Sequence, residues 1–192
     1  MEQKKLPSVA LGTWSWGIGA VGGDQVFGNH LGEAELKPVF DTAMEHGLNL
    51  WDSAVVYGMG ASEDILGLFA KTCPREQVIL STKFTPQIAG DTANPVVEMC
   101  EGSLKRLGTN YIDIYWIHNP ADVEKWTPYL VPLVKSGKVG SFCYYIPWGN
   151  FCFFYQDFRA SESLMPLGEV ESGLEFLESL DTADTVTVEA VE

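Results

Sequence analysis

The sequence predicts an α/β fold built from consecutive βα units with parallel strands. Three observations predict it. Helical and strand patterns alternate through the first 140 residues, strands begin near residues 49, 78, 111 and 139, and each helical pattern stops at a glycine or proline. The intervals of 29, 33 and 28 residues between strand starts are the stride of βα units, whose crossovers make neighbouring strands parallel. Such units wind into either an open doubly wound sheet or a closed barrel of eight repeats, and periodicity alone does not choose.

The elements follow in order. After the apolar run Val9-Ala10-Leu11-Gly12-Thr13-Trp14, the residues Leu36, Val39, Phe40, Ala43 and Met44 mark one helix face that stops at Gly47. Asn49-Leu50-Trp51-Asp52 reads as a strand. A second helix is entered through Ser62 as N-cap, turns Ile65, Leu66 and Phe69 inward, and closes at Pro74. Val78-Ile79-Leu80-Ser81-Thr82 is the next strand. A helix with Val96, Val97, Cys100, Leu104 and Leu107 on one face ends at Gly108, and the strand Tyr111 to Trp116 follows. A fourth helix uses Val123, Trp126, Leu130, Leu133 and Val134 and ends at Gly137.

Past Gly140 the pattern fails. Residues 142–155 hold eight aromatics and no charge, too short for a membrane span and broken by Pro147. They read as an interaction surface or, with more weight, as sequence never selected to fold, such as a shifted reading frame or an alternative splice end; a fifth strand survives only in its first few residues. One acidic helix is expected over about 169–180 and a frayed end after it. The chain therefore divides into residues 1–140, the βα region, and residues 141–192, a divergent aromatic segment and acidic tail. The charge splits at the same place, with 16 acidic and 11 basic side chains before it and 10 acidic against the single Arg159 after it.

A net charge of −14 argues against a nucleic-acid partner, since phosphate binding needs clustered Lys and Arg. No basic amphipathic stretch addresses a membrane surface, and Met1 to Ser8 leads into no apolar run of signal-peptide length, so a cytoplasmic protein is expected. Cys73, Cys100, Cys143 and Cys152 show no C-x-x-C pair and no histidine at ligand spacing. Reduced thiols and no metal are expected.

Polar residues stand at the C-terminal ends of three successive strands: Asp52, Lys83 and His118. In a parallel sheet those ends share one rim, where ligands bind. Tyr57, five residues past Asp52, can return over it. A phenol with a free pKa near 10 is a poor acid at neutral pH, but an adjacent ammonium favours its phenolate. Lys83 would supply that charge, Asp52 would hold Lys83, and His118 would donate to an oxygen on which negative charge develops. Together these groups suit reduction of a carbonyl, with the hydride coming from a nicotinamide cofactor.

The stretch Asn49 to Gly58 with Ser62-Glu63 and Leu66-Gly67, the segment Ser81-Thr82-Lys83, and the segment Asp113 to Pro120 together resemble the aldo-keto reductase family. Ser103 to Gly108 is similar to the family helix before the histidine strand, and Gly12-Thr13-Trp14 to the first-strand turn near the nicotinamide ribose. The resemblance covers about residues 8–140. It implies a (β/α)8 barrel, here a partial one of four to five βα units with an atypical C-terminal tail. It also implies catalytic Asp52, Tyr57, Lys83 and His118, a cofactor contact through Gly12, Thr13, Trp14 and Asp52, and a substrate pocket lined by Trp14, Trp16 and Asn119. NADPH is the implied hydride donor, with NADH the alternative, and a small aldehyde or ketone the substrate.

The departures lie downstream. Where the family continues from Lys135 to Gly140 into a strand that holds the nicotinamide carboxamide, this chain has Ser141-Phe142-Cys143-Tyr144-Tyr145. The later basic pocket for cofactor phosphates has no counterpart, so the alternative reading is an inactive fragment acting as a binding or regulatory module. Four or five units cannot close eight strands, and self-association through exposed edges or poor solubility is expected. Finally, Gly17-Ile18-Gly19-Ala20-Val21-Gly22 matches a dinucleotide fingerprint, but Gly23, Asp24, Gly28, Asn29 and Gly32 are expected to exclude the helix it needs. His30 and His46 read as surface residues.

Overall fold

In a computed structural model of the chain, which describes residues 4–119, 122–146 and 149–154, the expected stride appears as a single sheet in sequence order. Strands β1 (Leu11–Gly12), β2 (Leu50–Asp52), β3 (Ile79–Phe84), β4 (Ile112–Ile117) and β5 (Val139–Ile146) are parallel, and β6 (Gly149–Phe154) returns antiparallel to β5. Helices α2 (Glu33–Glu45), α3 (Ala61–Ala70), α4 (Pro95–Leu107) and α5 (Val123–Lys135) are the crossovers, and a short α1 (Gly23–Phe27) lies in the first loop. The architecture is a partial (β/α) barrel.

Alternation along the strands sorts side chains to two faces. Leu80, Phe84, Tyr115 and Ile117 point to the helices, where with Leu66, Phe69, Cys100, Leu104, Trp126 and Leu130 they form the main core. Ile79, Ile114 and Cys143 point to the other face and close on Leu6 in a smaller cluster. Gly67 lets α3 cross α4 closely, because a Cβ there would stand 2.3 Å from the Arg106 carbonyl.

Glu63, fully buried on α3, accepts from Thr82 Oγ1 at 2.6 Å and from Arg106 Nε at 2.7 Å, tying α3, β3 and α4 together. Two donors, one of them a guanidinium, thus answer this buried carboxylate.

Three expectations are corrected. The α3 N-cap is Gly60, at φ 104, not Ser62. Ser62 lies inside the helix and donates instead to Thr13 O at 2.8 Å and Thr13 Oγ1 at 2.7 Å, a tertiary link that outweighs the local capping preference. A five-residue helix does form after the glycine run, but Asp24 and Gln25 accept the Gly19 and Val21 N–H groups, which leaves no phosphate cradle. The fifth strand runs its full eight residues and turns into β6, so the aromatic segment folds as a hairpin.

Of the cysteines, Cys73 and Cys100 are free, whereas Cys143 is disulfide-bonded rather than reduced as expected. The helix expected over 169–180 and the frayed end lie outside the described residues. No helix among the described residues is long and apolar enough to cross a membrane.

Candidate active site

The register places Asp52 beside Ser81 and Ser81 beside Ile114, with Lys83 beside Trp116 one pleat higher. Because residues two apart on a strand share a face, Asp52, Ser81, Lys83 and Trp116 crowd one patch at the rim. Lys83, 1% exposed, is the centre of it. Its Nζ donates to Asp52 Oδ2 at 2.6 Å, to Ser53 O at 2.5 Å and to Tyr57 OH at 3.3 Å. Burial lowers its pKa, and the Asp52 carboxylate opposes that by favouring the ammonium.

Tyr57 reaches the patch because the chain after β2 turns at once into a one-turn helix, Tyr57–Gly60, with Gly58 at φ 61 and Met59 at φ 49. Its ring stacks on Trp14 at 5.8 Å and meets the His118 ring edge-on at 5.9 Å. Lys83 Nζ also lies 4.9 Å from the ring centroid.

His118 follows β4, and its backbone N–H donates to Phe84 O at 2.8 Å. Thr85 Oγ1 lies 3.0 Å from Nδ1. Burial first, and then the Lys83 charge, push His118 down to about 4. The imidazole is therefore neutral at neutral pH. Thr85 Oγ1 and His118 Nδ1 share one hydrogen; in the tautomer in which Nδ1 accepts it, the ring proton sits on Nε2, the nitrogen that can donate to a substrate oxygen. Thr85 was invisible to sequence reading; a hydroxyl two residues beyond a strand-end lysine was its only signal.

All four residues expected at the rim are thus brought together, and Asn119 continues from His118. Trp14 is 43% exposed beside Tyr57, and Gly12 stands on the same edge with open space where a Cβ would project. One assignment is corrected. Trp16, 4% exposed, packs on Trp51 at 5.3 Å and Phe69 at 5.8 Å, on the helix side of the sheet, away from the rim. Thr13 is fully buried, its hydroxyl donating to Asp52 O at 3.2 Å and accepting from Ser62, so its side chain braces the first-strand turn. Among the described residues, no group of three or more His, Cys, Asp or Glu converges as for a metal.

Comparison with known proteins identifies the class. The aldo/keto reductase family model matches residues 8–143, and the chain belongs to that family. It is 32% identical over 154 residues to probable aldo-keto reductase 1 of Glycine max, covering 72% of this chain and 44% of that protein. It is 36% identical over 141 residues to the aldo-keto reductase YhdN of Bacillus subtilis, covering 68% and 38%. The crystal structure of an aldo-keto reductase from Klebsiella pneumoniae in complex with NADPH matches with a TM-score of 0.59 at 28% identity, covering 72% of this chain and 45% of that one. The chain therefore spans less than half the length of these relatives.

A second model, of the cyclophilin-like family, matches residues 124–190. That match crosses the segment read from sequence as a shifted frame.

Proposed function

We propose that the rim performs the proton transfer of a carbonyl reduction, with Tyr57 as acid. Tyr57 OH protonates the carbonyl oxygen of an aldehyde or ketone as that oxygen gains charge. Lys83 stabilises the phenolate left behind, Asp52 keeps Lys83 charged and placed, and His118 Nε2–H donates to the same oxygen. The observation that supports this reading above any other is the single buried ammonium in contact with both Asp52 and Tyr57.

The rim fits the reacting end of a nicotinamide dinucleotide: Gly12 leaves open space beside it, Trp14 offers an exposed ring, and Asp52 keeps 27% of its side chain exposed. When bound, that cofactor supplies the hydride; NADPH is proposed over NADH on the family resemblance. Trp14 and Asn119 flank the carbonyl substrate. The protein is proposed to act in the cytoplasm, which cell fractionation checks. A second copy is proposed to pair along β1 and β6, the edge strands among the described residues, and gel filtration showing only a monomer with cooperative melting contradicts that.

Titration with NADPH tests the reading. Quenching of tryptophan fluorescence, followed by loss of NADPH absorbance on addition of a reactive aromatic aldehyde, is expected. Quenching without oxidation supports the binding-module alternative instead, and no quenching removes the cofactor.

A further inference from the structure

We infer that Ser81 and Trp116 are positioning residues that set the acidity of Tyr57 through Asp52. The inference rests on the proton-transfer reading above and adds two residues to it. Trp116 Nε1 donates to Ser81 Oγ at 2.8 Å, and Ser81 Oγ donates to Asp52 Oδ1 at 2.7 Å. Lys83 Nζ then donates to Asp52 Oδ2 at 2.6 Å and to Tyr57 OH at 3.3 Å. The chain indole, hydroxyl, carboxylate, ammonium, phenol thus meets at Asp52, which accepts from both sides: it runs from β4 through Ser81 on β3 to β2, and back through Lys83 on β3 to Tyr57 in the loop after β2.

Each donor can be assigned. An indole N–H only donates, so Ser81 Oγ must accept it; an ionised carboxylate only accepts, so the Ser81 proton must point at Asp52. The serine rotor has no choice left. Ser81 is 3% exposed, so water does not substitute for it readily. With Oδ1 fixed by Ser81, Oδ2 is aimed at Lys83 and the plane of the carboxylate is set. Without that bond the carboxylate, which reaches solvent, turns off the ammonium or binds it more tightly with both oxygens. Either change weakens the field that favours the Tyr57 phenolate: buried without its counter-charge, Lys83 gives up its proton, and gripped by both oxygens its charge is neutralised. Among the described residues, the charged and titratable groups facing Tyr57 are Asp52 from β2, Lys83 from β3 and His118 after β4, with Glu63 behind the sheet on α3.

Tyrosinate absorbance near 295 nm reads the outcome in the full chain without cofactor. Subtracting the matched Tyr57→Phe chain isolates one of the seven tyrosines. Ser81→Ala should raise the Tyr57 titration midpoint by about one pH unit, a tenfold loss of acidity, and Ser81→Thr should restore it. Trp116→Phe should raise it by less, and adding Trp116→Phe to Ser81→Ala should change nothing more, because the indole acts through the hydroxyl. A Ser81→Ala titration equal to the unchanged chain, or additive effects of the two substitutions, overturns the inference. If Ser81→Ala fails to fold, Trp116→Phe and Ser81→Thr decide it: an unmoved midpoint in Trp116→Phe, or a raised one in Ser81→Thr, overturns it. Lys83→Met separates the two levels. If it leaves Tyr57 unmoved, the proton-transfer reading itself fails; if it moves Tyr57 while Ser81→Ala does not, only the positioning chain fails.

Discussion

Asp52 and Asp113 are both carboxylates on parallel strands held by cations, yet they stand at opposite ends of the sheet in opposite circumstances. At the base, Asp113 is 4% exposed and accepts from Lys4 Nζ and Arg75 Nη2, each at 2.6 Å, and from Leu80 N at 2.9 Å. Arg75 also donates to Val78 O and Tyr111 O. Every charge there is answered, and the network ties the N-terminal segment to the starts of β3 and β4. At the rim, Asp52 keeps 27% exposure and holds one cation, which also reaches a phenol. A closed ion network locks structure, whereas an open one directs charge at a titratable group. Such open, partly desolvated arrangements are where shifted pKa values signal chemistry rather than support.

Substitutions at the two ends should separate these roles. The largest loss of stability is expected at the base: Asp113→Ala leaves two cations without their counter-charge and should cost about 3–5 kcal/mol in urea unfolding. A loss no greater than that of an exposed ion pair would make the two ends alike.

The next effect is a pH dependence at the rim. His118 titrates at about 4 in the folded chain, against about 6.5 when unfolded. Below pH 6.5 the unfolded chain takes up the proton first, so the stability held above that pH is lost progressively as the pH falls to about 4. His118→Gln should flatten this part of the curve, and an unaltered slope would show that His118 is not buried against Lys83. Smaller still, Tyr57→Phe should alter unfolding stability by less than about 1 kcal/mol, since it removes one charge-assisted contact at the edge of the patch. As a reference, Lys37→Ala, which breaks the Lys37 to Asp41 pair on α2, should cost no more than about 0.5 kcal/mol.

The rim was legible in the sequence because it obeys the βα stride. Asp52, Lys83 and His118 stand where strands end, and Gly47, Gly108 and Gly137, all at positive φ, close the helices before the next strands. What stayed hidden depends on contacts between distant residues. Ser62 looks like an N-cap until its hydroxyl is seen to bond Thr13, 49 residues away. Trp16 resembles a pocket residue until Trp51 and Phe69 are seen against it. The bond from Trp116 to Ser81 spans 35 residues and leaves no periodic trace. The β5–β6 hairpin escaped because a run of uncharged aromatics shows no alternation between polar and apolar faces.

The rate of aldehyde-dependent NADPH oxidation by Tyr57→Phe, measured beside the unchanged chain, tests the role of Tyr57 most directly. A measurable rate in the unchanged chain that falls at least about a hundredfold in Tyr57→Phe, as for loss of a general acid, is the expected result. Equal rates in the two chains would contradict it.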